Sequence, residues 1–299
     1  MTREELVAHA RESIARGSKS FRFASTLFDR PTRERAWLLY AWCRACDDLA
    51  DGQEMGHGMS RVADADARLR TIRTQTAAAL DGEQTGIPAF DGLGVVAREV
   101  GIGTALANDL IEGFALDAAE WRPRTEADLL RYCYHVAGVV GLMMALVMGV
   151  EPDDYPTLGR ACDLGLAFQL ANIARDVAED DQAGRCYLPS EWLLELGIPA
   201  AEMMQASHRP ALAKLASRMG QRAAGYEASA RVGAAALPFR SRWAVLSAAG
   251  IYGGIARKVV RRGSHAWDRR VVTSRAAKLG WVARAGASAG WMAISPPRA

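Results

Sequence analysis

The chain is poor in the residues that build β-sheets. Aromatic side chains make up 7% of its 299 residues, β-branched residues are few, and no stretch alternates apolar with polar side chains as a half-buried strand does. Ala, Leu and Arg dominate instead, and a chain of this composition favours helix. The composition therefore argues against an all-β fold, and we predict no strand.

Features of exported proteins are also missing. The first ten residues are charged and contain no apolar core of the kind found in secretory signals. Five cysteines, an odd number scattered along the chain, do not form the pattern of a disulfide framework. Cys43 and Cys46 have the CxxC spacing, but without a second pair we expect them to be structural. These features predict a cytoplasmic protein with reduced thiols.

The chain has neither a large charge surplus nor an apolar run long enough to span a bilayer. Its formal net charge of +3 is too small to indicate a general nucleic-acid binder, and no nucleic-acid partner is expected. The longest apolar run, 136–150, has about 15 residues, whereas a spanning helix needs about 20. We interpret this run as a buried core helix.

The rest of the pattern is a succession of helical segments separated by Gly, Pro and Asp. Thr2 and Glu5 form a capping box before the first helix. No linker or repeat divides the chain, so we predict one all-α domain over 1–285 and a flexible tail over 286–299. A Gly-rich polar stretch, 52–60, is predicted to be a mobile loop. The first predicted helix runs to about Ser18, and the others cover 32–50, 61–80, 90–100, 104–118, 125–149, 154–180, 208–233, 238–262 and 270–285.

The first chemical signal is an acidic group at the end of the helix predicted over 32–50. Helix geometry places Tyr40, Arg44, Asp47 and Asp51 on one stripe, with Asp48 about a quarter turn away. One interpretation is a solvated helix end paired with Arg44. The other is a site for a cation, because buried carboxylates need a positive charge beside them.

A second predicted helix repeats the arrangement. Gln169, Asn172, Asp176 and Asp180 lie on one stripe, with Arg175 on its flank. Oxygen ligands without His or Cys suit a hard cation such as Mg²⁺, which commonly joins one or two carboxylates to substrate phosphates. Two such stripes therefore predict a metal-bridged diphosphate. The nearby arginines and the polar segment 18–20 would supply hydrogen-bond donors to it.

Five stretches together resemble the squalene and phytoene synthases, head-to-head prenyl transferases of the isoprenoid synthase fold, and most closely the bacterial phytoene synthases. They occur in the family's order, and the later helices are compatible with it. One departure is Gly17, where some relatives have His. The stretches are 18–21, 40–51, 132–141, 169–180 and 184–189.

The resemblance implies a single helical bundle around a central apolar cavity, and it assigns roles to individual residues. It implies Mg²⁺ or Mn²⁺ without a nicotinamide cofactor, and it leaves open whether ATP is an activator. The implied metal ligands are Asp47, Asp48, Asp51, Asn172, Asp176 and Asp180. The implied diphosphate-binding residues are Ser18, Lys19, Ser20, Tyr40, Arg44, Gln169 and Arg175. The implied catalytic residues are Tyr40, Arg44, Asp47, Asp51, Asp176 and Tyr252.

The implied reaction is the condensation of two geranylgeranyl diphosphates to phytoene through prephytoene diphosphate, the first committed step of carotenoid biosynthesis. Ser25 is small where a longer side chain could shorten a substrate tunnel, which favours C20 over C15 substrates. The alternatives are a C15-using dehydrosqualene or squalene synthase, a terpene cyclase, or a helical scaffold without activity. The intact acidic motifs argue against a scaffold, and the second motif lacks the Ser/Thr and Glu pattern of cyclases.

Two further features have two interpretations each. Gly138 and Gly141 lie on one apolar helix, where they either leave room for a prenyl chain or allow close helix packing. Segment 257–284 holds nine basic residues against one acid, with Trp residues interleaved. It is either an ordinary exposed helix face or a peripheral contact with the cytoplasmic membrane. The oligomeric state is left open.

Overall fold

A computed structural model describes residues 1–51 and 65–294 of the chain, with the backbone alone described at Lys19, Ser20, Asp51 and Ile294. The predicted mobile loop, 52–60, lies outside these residues. Every regular element in the described part is helical, and no strand occurs there. The all-α prediction is therefore confirmed.

The chain divides into two compact units. The first comprises Met1–Ala119 and Leu142–Leu158, and the second comprises Glu120–Gly141 and the rest of the chain from Gly159. The single domain predicted over 1–285 stays a prediction. The helices that begin in the first stretch of the first unit are α1 (Arg3–Gly17), α2 (Lys19–Ser25), α3 (Arg30–Asp51), α4 (Ala65–Leu80), α5 (Pro88–Val100) and α6 (Thr104–Ala118).

The remaining helices begin after Glu120. A continuous helical stretch contains α7, a π-helical segment (Tyr134–Gly138) and α8, where one long helix is predicted over 125–149. Two short pieces, α2 and α10, are not among the predicted helices. The later helices are α7 (Glu126–Cys133), α8 (Val139–Val147), α9 (Tyr155–Gln182), α10 (Ser190–Glu195), α11 (Arg209–Gly233), α12 (Phe239–Arg262) and α13 (Arg275–Ile294).

The first unit is organised around α3. Its apolar side packs against α1 and α5, and Trp42 on that side is completely buried. The indole Nε1 of Trp42 donates a hydrogen bond to Thr76 Oγ1 on α4 at 3.2 Å. At the start of α1, Thr2 and Glu5 form the predicted capping box. Packing on one side of α3 leaves its other side, which carries the acidic motif, available for chemistry.

The second unit contains a close approach between the π-helical segment, the start of α8 and α9. A methyl group on Gly141 would lie 2.3 Å from the carbonyl oxygen of Ala161, and one on Gly165 would lie 2.2 Å from that of Ala137. Such separations are far inside van der Waals contact. A methyl group on Gly138 would lie 2.9 Å from the Sγ atom of Cys162. Of the two interpretations of Gly138 and Gly141, the structure supports close helix packing.

One helical stretch, Glu126–Val147, is long and apolar enough to meet the length and composition criteria for a membrane span, and 44% of its most apolar window is buried. Core helices of soluble proteins meet the same criteria. Within the stretch, Leu129, Val139 and Met143 are fully buried. This burial is the behaviour expected of a core helix.

The last helix differs from its prediction at both ends. It begins at Arg275 and continues to Ile294, whereas the sequence predicts 270–285 followed by a flexible tail. The extension has a packing reason, because Ala285 and Ala289 are buried in a cluster with Leu246 on α12. Small residues at these positions let α13 pack closely along α12 beyond the predicted end.

Candidate active site

The first acidic motif is formed by the last turns of α3, where an arginine pairs with two aspartates. Arg44 contacts Asp48 through Nη2 at 2.6 Å and Nε at 3.0 Å, and its Nη1 lies 3.1 Å from Asp47. The side chains of Arg44 and Asp48 are each 17% exposed, and that of Asp47 is 40% exposed. Asp48, predicted to lie off the stripe, therefore makes the closest contact. The side chain of Asp51 lies outside the described part of the structure.

Tyr40 lies one turn before Arg44 and is held by its neighbours. Its ring is 5.6 Å from that of Phe21 in a tilted arrangement. A methyl group at Gly17 would lie 2.3 Å from the Tyr40 hydroxyl, so a larger residue at position 17 would require Tyr40 to move. Burial raises the pKa of Tyr40, and its phenol stays protonated at neutral pH. The group can therefore act as a neutral hydrogen-bond donor.

Ser18 connects α1 to α2. Its backbone caps the end of α1, and its Oγ accepts a hydrogen bond of 3.2 Å from the backbone N–H of Phe21 at the start of α2. The sequence predicts only a helix end here, so α2 is a correction. In the described part of the chain the Ser18 hydroxyl makes this one hydrogen bond, as an acceptor, so its proton can be donated to a ligand. The side chains of Lys19 and Ser20 lie outside the described residues.

The second acidic motif occupies successive turns of α9, and two arginines bind the carboxylate of Asp176. Asp176 is hydrogen-bonded by Arg175 next to it and by both Nε and Nη2 of Arg270, each at 3.0 Å. Burial opposes ionisation of Asp176, but the bonds from Arg175 and Arg270 outweigh it and lower the pKa of the carboxyl. Arg270 also lies 3.8 Å from Glu179. Asp176 is therefore held as a carboxylate.

Arg270 is a site residue that sequence reasoning misses. It follows α12 in a segment without regular structure, 94 residues from Asp176. In the sequence it is one of many cations in a basic stretch, and no local spacing connects it to α9. Only the tertiary fold brings it to the motif.

Asn172 lies one turn before Asp176 on α9. Its amide oxygen is inaccessible to solvent and has no hydrogen-bond partner among the described residues. A buried acceptor of this kind costs free energy unless a donor or a cation satisfies it. The amide oxygen of Asn172 and the carboxylates of Asp176 and Asp180 are oxygen ligands, which Mg²⁺ and Mn²⁺ prefer. The residue types at the second motif therefore fit a hard cation.

In the described part of the chain, however, no three side chains of His, Cys, Asp or Glu lie close enough together to hold a metal ion. Arginine side chains contact Asp47, Asp48 and Asp176 instead. The sequence argued that these carboxylates need a positive charge beside them, and guanidinium groups supply it here. A cation would thus compete with arginines for the same carboxylates.

Tyr252 lies on α12, within the same unit as the second motif. Its ring stacks on Phe168 of α9 with centroids 4.1 Å apart. Burial raises the pKa of Tyr252, and the positive charge of Arg175 partly opposes this effect. The structure thus brings Tyr252 to the side of α9 that carries Phe168 and Arg175. Gln169, the next residue along α9, is half-buried.

An aromatic stack joins two of the stretches that suggested the family resemblance. Tyr132 stacks on Tyr187 with ring centroids 4.8 Å apart, and Trp121 continues the stack 6.0 Å from Tyr132. Arg122 donates a hydrogen bond to the carbonyl oxygen of Gly184 at 3.2 Å. These contacts fix the segment 184–189 beside α7.

Ser25, the residue proposed to favour longer substrates, is completely buried at the end of α2. Its hydroxyl donates to the carbonyl oxygen of Arg22 at 2.8 Å and accepts from Trp37 Nε1 at 3.0 Å. Both hydrogen-bonding functions of the side chain are therefore used within the protein. The Ser25 hydroxyl thereby also fixes the position of the Trp37 indole.

The cysteines agree with a structural role. All five are unpaired thiols, and burial raises the pKa of Cys43 to about 12 and that of Cys46 well above its usual value. Thiols so hard to ionise are poor nucleophiles and poor metal ligands. The CxxC spacing is therefore not a reactive site.

Comparison with known proteins places these motifs in one family. The sequence profile described as squalene/phytoene synthase matches residues 14–277. The chain is 47% identical to a phytoene synthase from Pseudescherichia vulneris, covering 93% of this chain and 90% of the relative. It is 46% identical to a 15-cis-phytoene synthase from Pantoea ananas, covering 100% and 97%. A ligand-bound crystal structure of a dehydrosqualene synthase is similar with a TM-score of 0.86 at 28% identity, covering 97% and 98%.

Proposed function

Because the chain belongs to the squalene/phytoene synthase family, we propose that it joins two geranylgeranyl diphosphates head to head to form phytoene. The observation that carries the proposal is the near full-length identity of 46–47% to two proteins called phytoene synthases. The solved dehydrosqualene synthase has the same fold but is only 28% identical. Sequence similarity is therefore higher to the relatives called phytoene synthases than to the one called a dehydrosqualene synthase.

The reaction has two steps and consumes no reductant. In the first, the C–O bond of one substrate breaks with its electron pair leaving on diphosphate, and the double bond of the second substrate attacks the allylic cation. Loss of a proton closes the cyclopropane of prephytoene diphosphate. In the second step the remaining diphosphate leaves, the cation rearranges, and a second proton is lost. The products are phytoene and two diphosphates.

The charged side chains described above suit the departure of diphosphate. Guanidinium groups bind phosphate oxygens with two parallel hydrogen bonds, and three of them lie at the two motifs: Arg44, Arg175 and Arg270. To bind a diphosphate, each would exchange a carboxylate for a phosphate oxygen. The hydroxyl proton of Ser18 adds a neutral donor. At each motif, such donors would stabilise negative charge on a departing diphosphate, which lowers the barrier to ionisation.

A divalent cation, Mg²⁺ or Mn²⁺, would neutralise further charge on the leaving group when bound. At each motif, its proposed ligands are that motif's own oxygen-bearing side chains. The carboxylates released by the arginines would become available to it, and the unsatisfied amide oxygen of Asn172 fits the same role. These proposed ligands are Asp47, Asp48, Asp51, Asn172, Asp176 and Asp180.

The two tyrosines have a different task, because carbocations form once diphosphate has left. Tyr40 and Tyr252 are protonated phenols whose rings carry a negative face toward positive charge. Neither can act as a strong base at neutral pH, so the proton is lost to another acceptor, for which the released diphosphate suffices. Their half-buried aromatic neighbours, Phe21 and Phe168, would help to keep water from the cations.

One other candidate function has its own support. The similar fold of a dehydrosqualene synthase favours condensation of two C15 diphosphates to a C30 hydrocarbon. The two candidates share every step and differ only in chain length. Ser25 does not separate the two candidates, because its side chain is completely buried and hydrogen-bonded to Arg22 and Trp37.

Incubation of the purified chain with Mg²⁺ or Mn²⁺ and either geranylgeranyl or farnesyl diphosphate separates these functions. No nicotinamide is added, each reaction is run with and without ATP, and the hydrocarbon extract is chromatographed. A C40 product from the C20 substrate supports the proposal, whereas a C30 product from the C15 substrate alone transfers it to dehydrosqualene synthesis. Absence of product with both substrates and both metals overturns both functions in favour of the scaffold.

A further inference from the structure

An apolar strip runs along the solvent-facing side of α13, with the exposed Arg275 and Arg284 beside it. Five residues spaced three or four apart define this outer face, and all of them are exposed: Ala276, Leu279, Ala283, Ala287 and Trp291. The side chains of two large ones stand well out of the protein, since Leu279 is 60% exposed and Trp291 is 70% exposed. No charged residue occurs between 285 and 294.

The opposite side of α13 is apolar apart from the half-buried Lys278, and it is already used. Ala285 and Ala289 are buried against α12, and Trp243 on α12 donates a hydrogen bond to the carbonyl oxygen of Val282 at 2.8 Å. Trp281 lies so close to Gly250 that a methyl group there would be 2.4 Å from its ring. A helix that is apolar on both sides normally buries both of them. The outer face therefore carries more apolar surface than the fold uses.

The chain around and before this helix is rich in positive charge, and α13 itself contains no acidic residue. No acidic residue follows Asp268. Not every basic residue in 257–284 contributes, because Arg257 binds Glu227 and Arg270 binds Asp176. Other arginines of this segment are exposed: Arg261, Arg269, Arg275 and Arg284. The guanidinium of Arg284 also lies over the ring of Trp281 at 5.7 Å.

We propose that the outer face of α13 is a docking surface for an anionic lipid membrane, with α13 lying in the plane of the headgroups. Leu279 and Trp291 would enter the boundary between headgroups and acyl chains, and the arginines would contact lipid phosphates, as in other interfacial helices. A second copy of the chain fits less well. A two-fold contact through this face would bring identical cations together with no acid to balance them.

The proposal goes beyond the condensation reaction, and its test does not depend on turnover. The full chain is mixed with vesicles of phosphatidylcholine, with or without phosphatidylglycerol, and bound protein is measured by flotation. We expect binding to the phosphatidylglycerol vesicles only, and we expect it to weaken as salt is raised. Condensation with detergent-dispersed substrate is measured in parallel.

Two variants address the two parts of the surface. L279E/W291E places charge on the outer face, and R275Q/R284Q removes two cations while keeping the apolar face. Each should lower vesicle partitioning by at least about 10-fold while leaving the circular dichroism spectrum and detergent-based turnover unchanged. Leu194 on α10 is 80% exposed, which makes L194E a matched control that should bind vesicles like the parent.

Three outcomes would overturn the proposal. The first is absence of flotation of the parent chain at low salt, and the second is equal binding by the parent and L279E/W291E. The third is a parent chain that is dimeric by light scattering, becomes monomeric in L279E/W291E, and ignores vesicles. That result would assign the face to a second copy.

Discussion

The two acidic motifs neutralise their carboxylates in different ways. In α3, Arg44 pairs with Asp47 and Asp48 three and four residues further along the same helix. In α9, Asp176 is paired by its neighbour Arg175 and by Arg270, 94 residues away. The first arrangement is local and forms whenever α3 forms. The second exists only when the segment after α12 has folded onto α9.

The ion pairs of the two motifs therefore depend on different levels of structure. The pairs of the first motif depend on helix geometry alone, so they contribute little to tertiary stability. The second motif ties a distant segment to α9 through a bidentate, charge-assisted contact. Binding of a diphosphate would therefore rearrange one helix end at the first motif but a tertiary contact at the second.

The largest effects should come from removing the carboxylates themselves. We expect D47N and D176N each to lower condensation by about 10²- to 10³-fold or more, because each removes a charged oxygen that is a proposed cation ligand at its own motif. The measurement is the rate of hydrocarbon formation from geranylgeranyl diphosphate with Mg²⁺. Circular dichroism should show both variants folded.

Glu179 provides a control for these variants. It lies on α9 between Asp176 and Asp180 and is exposed, so E179Q removes the same charge from the same helix. We expect its rate to stay within about three-fold of the parent, since it lies outside the proposed ligand set. Near-parental turnover by D47N or D176N would show that the metal assignment is wrong.

The second prediction concerns Arg270 and tests the long-range pair directly. R270A should lower kcat/KM by about 10- to 100-fold, the loss expected for a bidentate contact to a charged group. It should also destabilise the metal-free protein at neutral pH. R269A, at the adjacent exposed arginine, is the matched control and should change neither quantity.

The pH dependence of this destabilisation has a definite sign. Arg270 lowers the pKa of Asp176 in the folded state, so the stabilisation is fully present above the unfolded pKa and is lost as pH falls through the folded value. The difference in melting temperature between parent and R270A should therefore shrink under acidic conditions. A difference that is constant down to about pH 3 would show that Arg270 acts through packing instead of through Asp176.

The same contrast explains how much could be predicted from the sequence. Pairs within one helix follow from spacing, so the Arg44 pairing and the stripe of α9 could be predicted from residue numbers alone. Arg270 could not, because its partner is chosen by the tertiary fold. Nor could the sequence decide the role of Gly141, since the backbone of Ala161 that excludes a methyl group there belongs to another helix.

The ends of helices show the same limit. The capping box at Thr2 could be predicted, because its two hydrogen bonds join residues three apart. The continuation of α13 to Ile294 could not, because burial of Ala289 against α12 stabilises a turn whose own sequence has weak helix signals. Glycine and serine in that turn favour coil, and tertiary packing overrides the preference.

The third prediction concerns the close contact between position 17 and the hydroxyl of Tyr40. G17A should bring a methyl group against the Tyr40 hydroxyl and lower the free energy of unfolding by about 1–3 kcal/mol, as overpacking does. Y40F removes the oxygen at 2.3 Å and leaves the ring carbon at 3.3 Å. G17A should therefore destabilise the Y40F variant by no more than half as much as it destabilises the parent protein.

The control for this cycle is a helical glycine in open space. A methyl group added to Gly225 on α11 would meet no atom within 4 Å, so G225A should be neutral or stabilising by up to about 1 kcal/mol. Urea denaturation gives the free energy of unfolding of the parent and of each variant. Equal destabilisation by G17A in the presence and absence of the Tyr40 hydroxyl would refute the steric contact.

The smallest effects should distinguish the aromatic neighbours of the two tyrosines. Phe168 stacks on Tyr252 at 4.1 Å, whereas Phe21 meets Tyr40 at 5.6 Å and a tilt of 42°. We expect F168L to destabilise the protein by about 0.5–1.5 kcal/mol more than F21L, because the stacked pair is closer and more nearly parallel. The measurement is the free energy of unfolding in urea. A larger loss for F21L would mean that Tyr40 depends more on its aromatic neighbour than Tyr252 does, although the Tyr252 pair is the closer and more nearly parallel one.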